Sequence, residues 1–195
     1  MKNLIVLFII LFIVNLNLHS QEEKSGNSSL RTGIGLGFNE GLNETGVGLV
    51  YSVGYQKSFG KRNRLRLNPN MIIGGFLPIG VTDVRDQFYR LTSLGLNLHY
   101  DLIKFRAVSL VTSPGVFLNY SRGLLGTGGW DDSGSNNSEY FNTLYLGGKF
   151  SFGLRIAPEG KRLAYEIRPL NIQFGNKGFL LGYLMFGIDI RLGNI

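Results

Sequence analysis

Charged residues in this chain fall two apart. Arg64 and Arg66, Glu166 and Arg168, and Asp189 and Arg191 are so spaced, Lys149 and Arg155 stand six apart, and His99 precedes Asp101 by two. A spacing of two puts side chains on one face of a β-strand. Two chemistries follow. Arg64, Arg66, Lys149, Arg155, Arg168 and Arg191 can pair with Asp101, Glu166 and Asp189 into an ionic network, which an enclosed space requires because an unpaired buried charge is costly. His99, the only histidine beyond the first 20 residues, is the one candidate general base. A single histidine on such a face is more often a hydrogen-bonded structural residue.

The elements that must carry these residues are strands. In "YLGGKFSFGLRI", Leu146, Phe150, Phe152, Leu154 and Ile156 alternate with Gly147, Lys149, Ser151, Gly153 and Arg155. The same period of two recurs in "RTGIGLGF", "TGVGLVYSVGYQ", "RLRLNPNMIIGG", "LTSLGLNLHYDL", "AVSLVTSPGVFLNY", "RLAYEIRPLNIQF" and "FLLGYLMFGIDIRL", and marks eight strands with no helical stretch. In the seventh the phase changes at Arg168-Pro169, as one extra residue in a β-bulge would cause. Basic, mostly short turns ("FGKRN", "DLIKFR", "APEGKR") fall on one rim, and the longer "LPIGVTDVRDQ" and "SRGLLGTGGWDDSGSNNS" on the other.

This pattern predicts an all-β fold, an eight-stranded antiparallel up-and-down transmembrane β-barrel. The face opposite the hydrocarbon is rich in Gly, Ser, Asn and isolated charges, which suits the inside of a narrow barrel rather than a solvated surface. Tyr51, Tyr55, Tyr100, Tyr120, Tyr145 and Tyr165 are placed on the apolar face as interfacial aromatics. A secreted barrel with apolar residues inward is the alternative. Pro69, Pro114 and Pro169 each remove a ladder hydrogen bond and need bulges or strand ends to absorb them.

The first 20 residues, with Lys2 before the unbroken apolar run Leu4 to Val14 and Ser20 at the end, read as a secretory signal peptide. Residues 21–29 read as a flexible periplasmic leader and 30–195 as the barrel. The chain has no cysteine, hence no disulfide framework or thiolate metal site. A formal net charge of +7 alone would suit nucleic acid, but an exported chain makes nucleic acid no partner. "GIGLG" lacks the spacing of a dinucleotide motif, and "WDDSGSNNSE" lacks the order of a calcium loop. No cofactor or metal is expected. In the long loop, Trp130 with Asp131 and Asp132 is the best candidate for contact with a partner, since aromatic anchors dominate binding energy.

The whole mature segment resembles the small eight-stranded outer-membrane barrels of Gram-negative bacteria, the OmpX and OmpA-barrel size class. "RLRLNPNMIIGGF", "FYRLTSLGLNLHYDL" and "SPGVFLNYSRG" are similar to PorT-like outer-membrane proteins. The resemblance implies an outer-membrane location with the N-terminus in the periplasm, contact with outer-membrane lipid, and a protein partner in the envelope, secretion-associated in the PorT-like case. The last residues, "RLGNI", depart from the usual aromatic end of such barrels. Three function classes compete: a non-catalytic interaction or structural component, a narrow channel for small anionic solutes, and a lipid-modifying enzyme, which would need His99. An eight-stranded barrel is just wide enough for side chains to fill, which favours the first.

Overall fold

The computed structural model describes residues 28–42, 44–59, 63–78, 88–126, 138–158 and 160–192. Eight strands form: β1 (Ser28–Glu40), β2 (Thr45–Phe59), β3 (Leu65–Pro78), β4 (Tyr89–Phe105), β5 (Val108–Gly126), β6 (Ser138–Ile156), β7 (Leu163–Gly175) and β8 (Leu180–Arg191). Each pairs antiparallel with its sequence neighbours, and β8 closes on β1. The result is a closed up-and-down barrel without an edge strand. The residues expected to form the signal peptide, and 21–27 of the leader, lie outside the described residues. Strand β1 begins two residues before the expected boundary at 30.

Alternation decides which face each residue takes. Row after row of the outer surface is hydrocarbon: Phe186, Ile34, Tyr51 and Ile73 lie opposite one another across β8, β1, β2 and β3, all 42–56% exposed. An exposed belt of this extent has no counterpart on ordinary soluble monomers, and the apolar-inward alternative requires the reverse arrangement. Tyr51, Tyr55, Tyr100, Tyr120 and Tyr165 point outward as expected. Tyr145 does not. It is fully buried inside the barrel, because it shares the phase of Lys149 and Ser151 rather than that of Leu146 and Phe150.

Pro69 and Pro169 are absorbed locally. Pro69 lies across from Tyr55, and the β2–β3 pairing lapses there between Gly54↔Asn70 and Lys57↔Leu67. The Asn68 amide donates instead to the Tyr55 carbonyl at 2.9 Å, replacing the N–H that proline lacks. At Pro169 the strand takes an extra residue: the register shifts by one against both β6 and β8. This is the β-bulge that the phase change predicts. Asn171 seals it by donating to the Arg168 and Tyr183 carbonyls at 3.0 and 2.9 Å.

The basic turns lie on the rim where β1 begins. "DLIKF" is strand rather than turn; the hairpin is Arg106-Ala107 alone, with Arg106 at φ 50°. The opposite rim carries Gly41, Leu42 and Glu44 and the one-turn 3-10 segment Asn176–Gly178; residues 79–87 and 127–137 lie outside the described residues. Glycine lets the wall curl. A Cβ added at Gly48 would come within 2.0 Å of the Gly75 carbonyl oxygen on the neighbouring strand.

Candidate functional site

The lumen is filled in two layers. Nearer the N-terminal rim the inward positions of β1, β3, β4, β6, β7 and β8 carry charge. Glu166 accepts from Arg168 Nε at 2.6 Å and pairs with Arg31 Nη2 at 2.9 Å. Arg66 pairs with Asp101, and Arg155 Nε donates to Asp189 Oδ2 at 3.1 Å. Asp189 also lies 3.9 Å from Arg31 Nε and receives a long bond from Gln56. Lys149 reaches across the lumen from β6 to donate to Asn70 Oδ1 on β3 at 2.8 Å. All of these charged residues are buried except Arg155, which is half-buried. Close pairing is what such groups need in a dry space.

Arg31 was not expected in this cluster, although it stands on the lumen phase of "RTGIGLGF". Its single charge among three glycines was the available signal. Arg64 and Arg191 sit apart from the cluster: both are half-buried at the rim, and among the described residues no carboxylate pairs with either. Arg64 contributes backbone instead, its carbonyl accepting from Asp101 N at 3.0 Å. Trp130, Asp131 and Asp132 lie outside the described residues.

His99 lies within the charged layer, fully buried. Its Nδ1 accepts from Arg168 Nη2 at 2.5 Å and lies 3.4 Å from Arg31 Nη1, while Nε2 faces Asn68 Oδ1 at 3.4 Å. Two guanidinium donors on Nδ1 require a neutral ring with the proton on Nε2. Asp101, two residues on, is engaged by Arg66. The pair that could have made a general base is thus split between separate partners, and the ring touches no surface from which a substrate could approach.

The other half of the lumen is an apolar plug. Phe117 and Phe179 have ring centroids 5.4 Å apart, Tyr145 and Phe179 4.6 Å, and Phe76 stacks on Tyr89 at 5.4 Å. Val50, Ile72, Leu91, Phe141, Leu181 and Met185 complete it. Gly41, Leu42 and Glu44 sit over this plug: Gly41 N donates to the Glu44 carbonyl at 2.7 Å, and Leu42 N donates to the Tyr145 hydroxyl at 3.1 Å.

Glu44, beyond the strand ends, is drawn under with the loop and is only 3% exposed. Neither of its carboxylate oxygens completes a hydrogen bond. Burial raises its pKa to about 7, with the nearby Ser121 and Tyr145 hydroxyls offsetting only part of the rise. In the unfolded chain Glu44 loses its proton near the ordinary carboxylate value; in the folded chain it keeps the proton up to about 7. The folded state therefore binds more protons in that window, and stability falls as pH rises through it. The cost, about 3 kcal/mol above the window, is absent below the unfolded pKa. Urea unfolding at pH 5 and pH 8 should show this loss, and Glu44→Gln should remove most of the pH dependence while stabilising the barrel at pH 8.

The chain matches no protein-family model and no curated protein. Solved structures do resemble it. Neisserial surface protein A aligns with 13% identity over 86% of this chain and 100% of its own, at a TM-score of 0.63. Ail, the attachment invasion locus protein of Yersinia pestis, aligns with 13% identity over 87% of this chain and 100% of its own, at a TM-score of 0.54. At this identity the likeness shows the fold: the closed eight-stranded barrel found in outer-membrane proteins.

Proposed function

We propose that this chain is a non-catalytic integral protein of a bacterial outer membrane, its N-terminus in the periplasm, acting as an anchored interaction or structural component. The observation that carries this reading is the doubly filled lumen. A charged layer and an aromatic plug lie in series, so the surfaces available for work are the two rims. The apolar belt supports the membrane location, since closure pairs every backbone group as a bilayer demands. The buried, engaged His99 speaks against the enzyme reading, and the plug against the channel.

The N-terminal rim carries exposed Lys57, Lys104, Arg106, Lys161 and Arg162. A ring of this kind favours an acidic partner surface, reached quickly through electrostatic steering. The resemblance to PorT-like proteins makes a component of the secretion machinery the partner class to seek. Crosslinking in intact outer membranes, followed by affinity purification and mass spectrometry, tests this. A stoichiometric envelope partner is expected, lost when Arg106, Lys161 and Arg162 are replaced by Glu; recovery of the barrel alone sinks the reading. In planar bilayers the purified barrel should show no steady single-channel conductance, whereas discrete anion-selective openings would restore the channel.

A further inference from the structure

The charged layer is out of balance. Five cations (Arg31, Arg66, Lys149, Arg155 and Arg168) face three carboxylates (Asp101, Glu166 and Asp189), an excess of two positive charges in a space closed on one side by the aromatic plug. The excess is concentrated at one spot. A cavity of about 20 Å³ inside the barrel is lined by Arg31, Lys149 and Arg168 with side-chain amides and hydroxyls, bordered by Phe150, Ile172 and Met185, and by no carboxylate. That volume admits one water or one ion of similar radius.

Hydrogen-bond accounting at this cavity leaves donors over. Lys149 has three N–H bonds to give, and among the described residues its one acceptor is Asn70 Oδ1. Arg31 Nη2 lies within ion-pair distance of Glu166 Oε2, but the pair misses hydrogen-bond geometry and both atoms remain unsatisfied. Arg168 uses three of its five N–H groups, on Glu166, Ser151 and His99. All three cations are at least nine-tenths buried. Lys149 is also seated by design of the wall: a Cβ on Gly95 would stand 2.0 Å from its Nζ, so the missing side chain there makes room for the ammonium. Surplus buried donors and surplus positive charge call for the same thing, an acceptor that carries negative charge.

We propose that the lumen holds a small monovalent anion of halide size, bound in this cavity by the Lys149 ammonium and the Arg31 and Arg168 guanidinium groups. The anion completes the network as a structural element and does not move through the barrel, because the aromatic plug closes the path beyond it. Water alone would satisfy donors but would leave the charge.

The test uses the full barrel refolded from denaturant into detergent, separately in sodium chloride, sodium bromide and sodium gluconate at equal ionic strength, so that no ion is carried over. Gluconate is too large for the cavity. The thermal midpoint in halide is expected to exceed that in gluconate by about 5 °C once the halide is 100-fold above its Kd. Lys149→Met, which removes the charge and keeps the chain length, should abolish that difference. Crystals grown in bromide should show an anomalous peak within hydrogen-bond distance of Lys149 Nζ. Equal midpoints in the three salts, with no bromide peak in the cavity of the parent protein, overturn the proposal. The bromide measurement needs no variant, so a folding failure of Lys149→Met leaves the proposal fully testable.

Discussion

Replacing Glu166 by Gln is expected to cost about 3–5 kcal/mol, the range for breaking a buried ion pair by removing one partner. Glu166 is 3% exposed and is the carboxylate that Arg31 and Arg168 share, at 2.9 and 2.6 Å. The amide keeps the shape but presents an N–H₂ group to guanidinium donors and withdraws the charge. Five cations would then face two carboxylates in a layer that already carries an excess. Urea unfolding in detergent, with folded and unfolded forms separated by gel mobility, reads the loss directly. The pair Glu166→Gln with Arg168→Met should recover part of it, because the second change removes one of the stranded charges. A single-variant cost below about 1 kcal/mol would mean that the lumen charges are hydrated, and the closed-lumen reading of function would fall with it.

Much of this network is legible in the sequence. Spacing by two placed Arg66, Asp101, Lys149, Arg155, Glu166, Arg168 and Asp189 on lumen phases, and the slip at Arg168-Pro169 announced the bulge. What the spacing could not give is the level of each residue along the barrel axis. Arg64 and Arg191 share the phase of the network but stand at the rim, since their strands begin and end there. Pairing choices were equally hidden: they depend on register between strands such as β1 and β7, which lie far apart in the chain and do not pair in the sheet.

The plug escaped for a different reason. Its members break the alternation: Val50 stands between Gly48 and Ser52, Ile72 between Asn70 and Gly74, Phe117 between Gly115 and Asn119. Val50 and Phe117 look like lone exceptions within their own strands, and on β3 Ile72 has only Phe76 for company. Only the register brings these exceptions to one half of the barrel, where they become a layer. Tyr145 shows the same limit in a single residue. The alternation alone puts Tyr145 at the start of its strand, whereas β6 begins at Ser138; an aromatic side chain at such a place suits a membrane interface and a capped lumen equally well, and phase alone decides between them.

Phe179→Ala should be nearly as costly as Glu166→Gln, about 3–5 kcal/mol for a buried phenylalanine whose site cannot collapse. Phe179 follows the 3-10 turn, is 2% exposed, and touches both Phe117 and Tyr145. Its loss would leave a void between two rings anchored on β5 and β6, strands whose long ladder resists closing over it. Tyr145 would also be freed to turn, weakening its hold on Leu42 N at the mouth. Conductance should nevertheless stay absent, because the charged layer continues to close the N-terminal half. Urea unfolding and planar-bilayer recording on the same preparation separate the two effects. A destabilised, silent barrel is the expected pair of results. A conducting Phe179→Ala barrel would mean that the plug alone holds the lumen shut and that the charged layer is wet enough to pass ions.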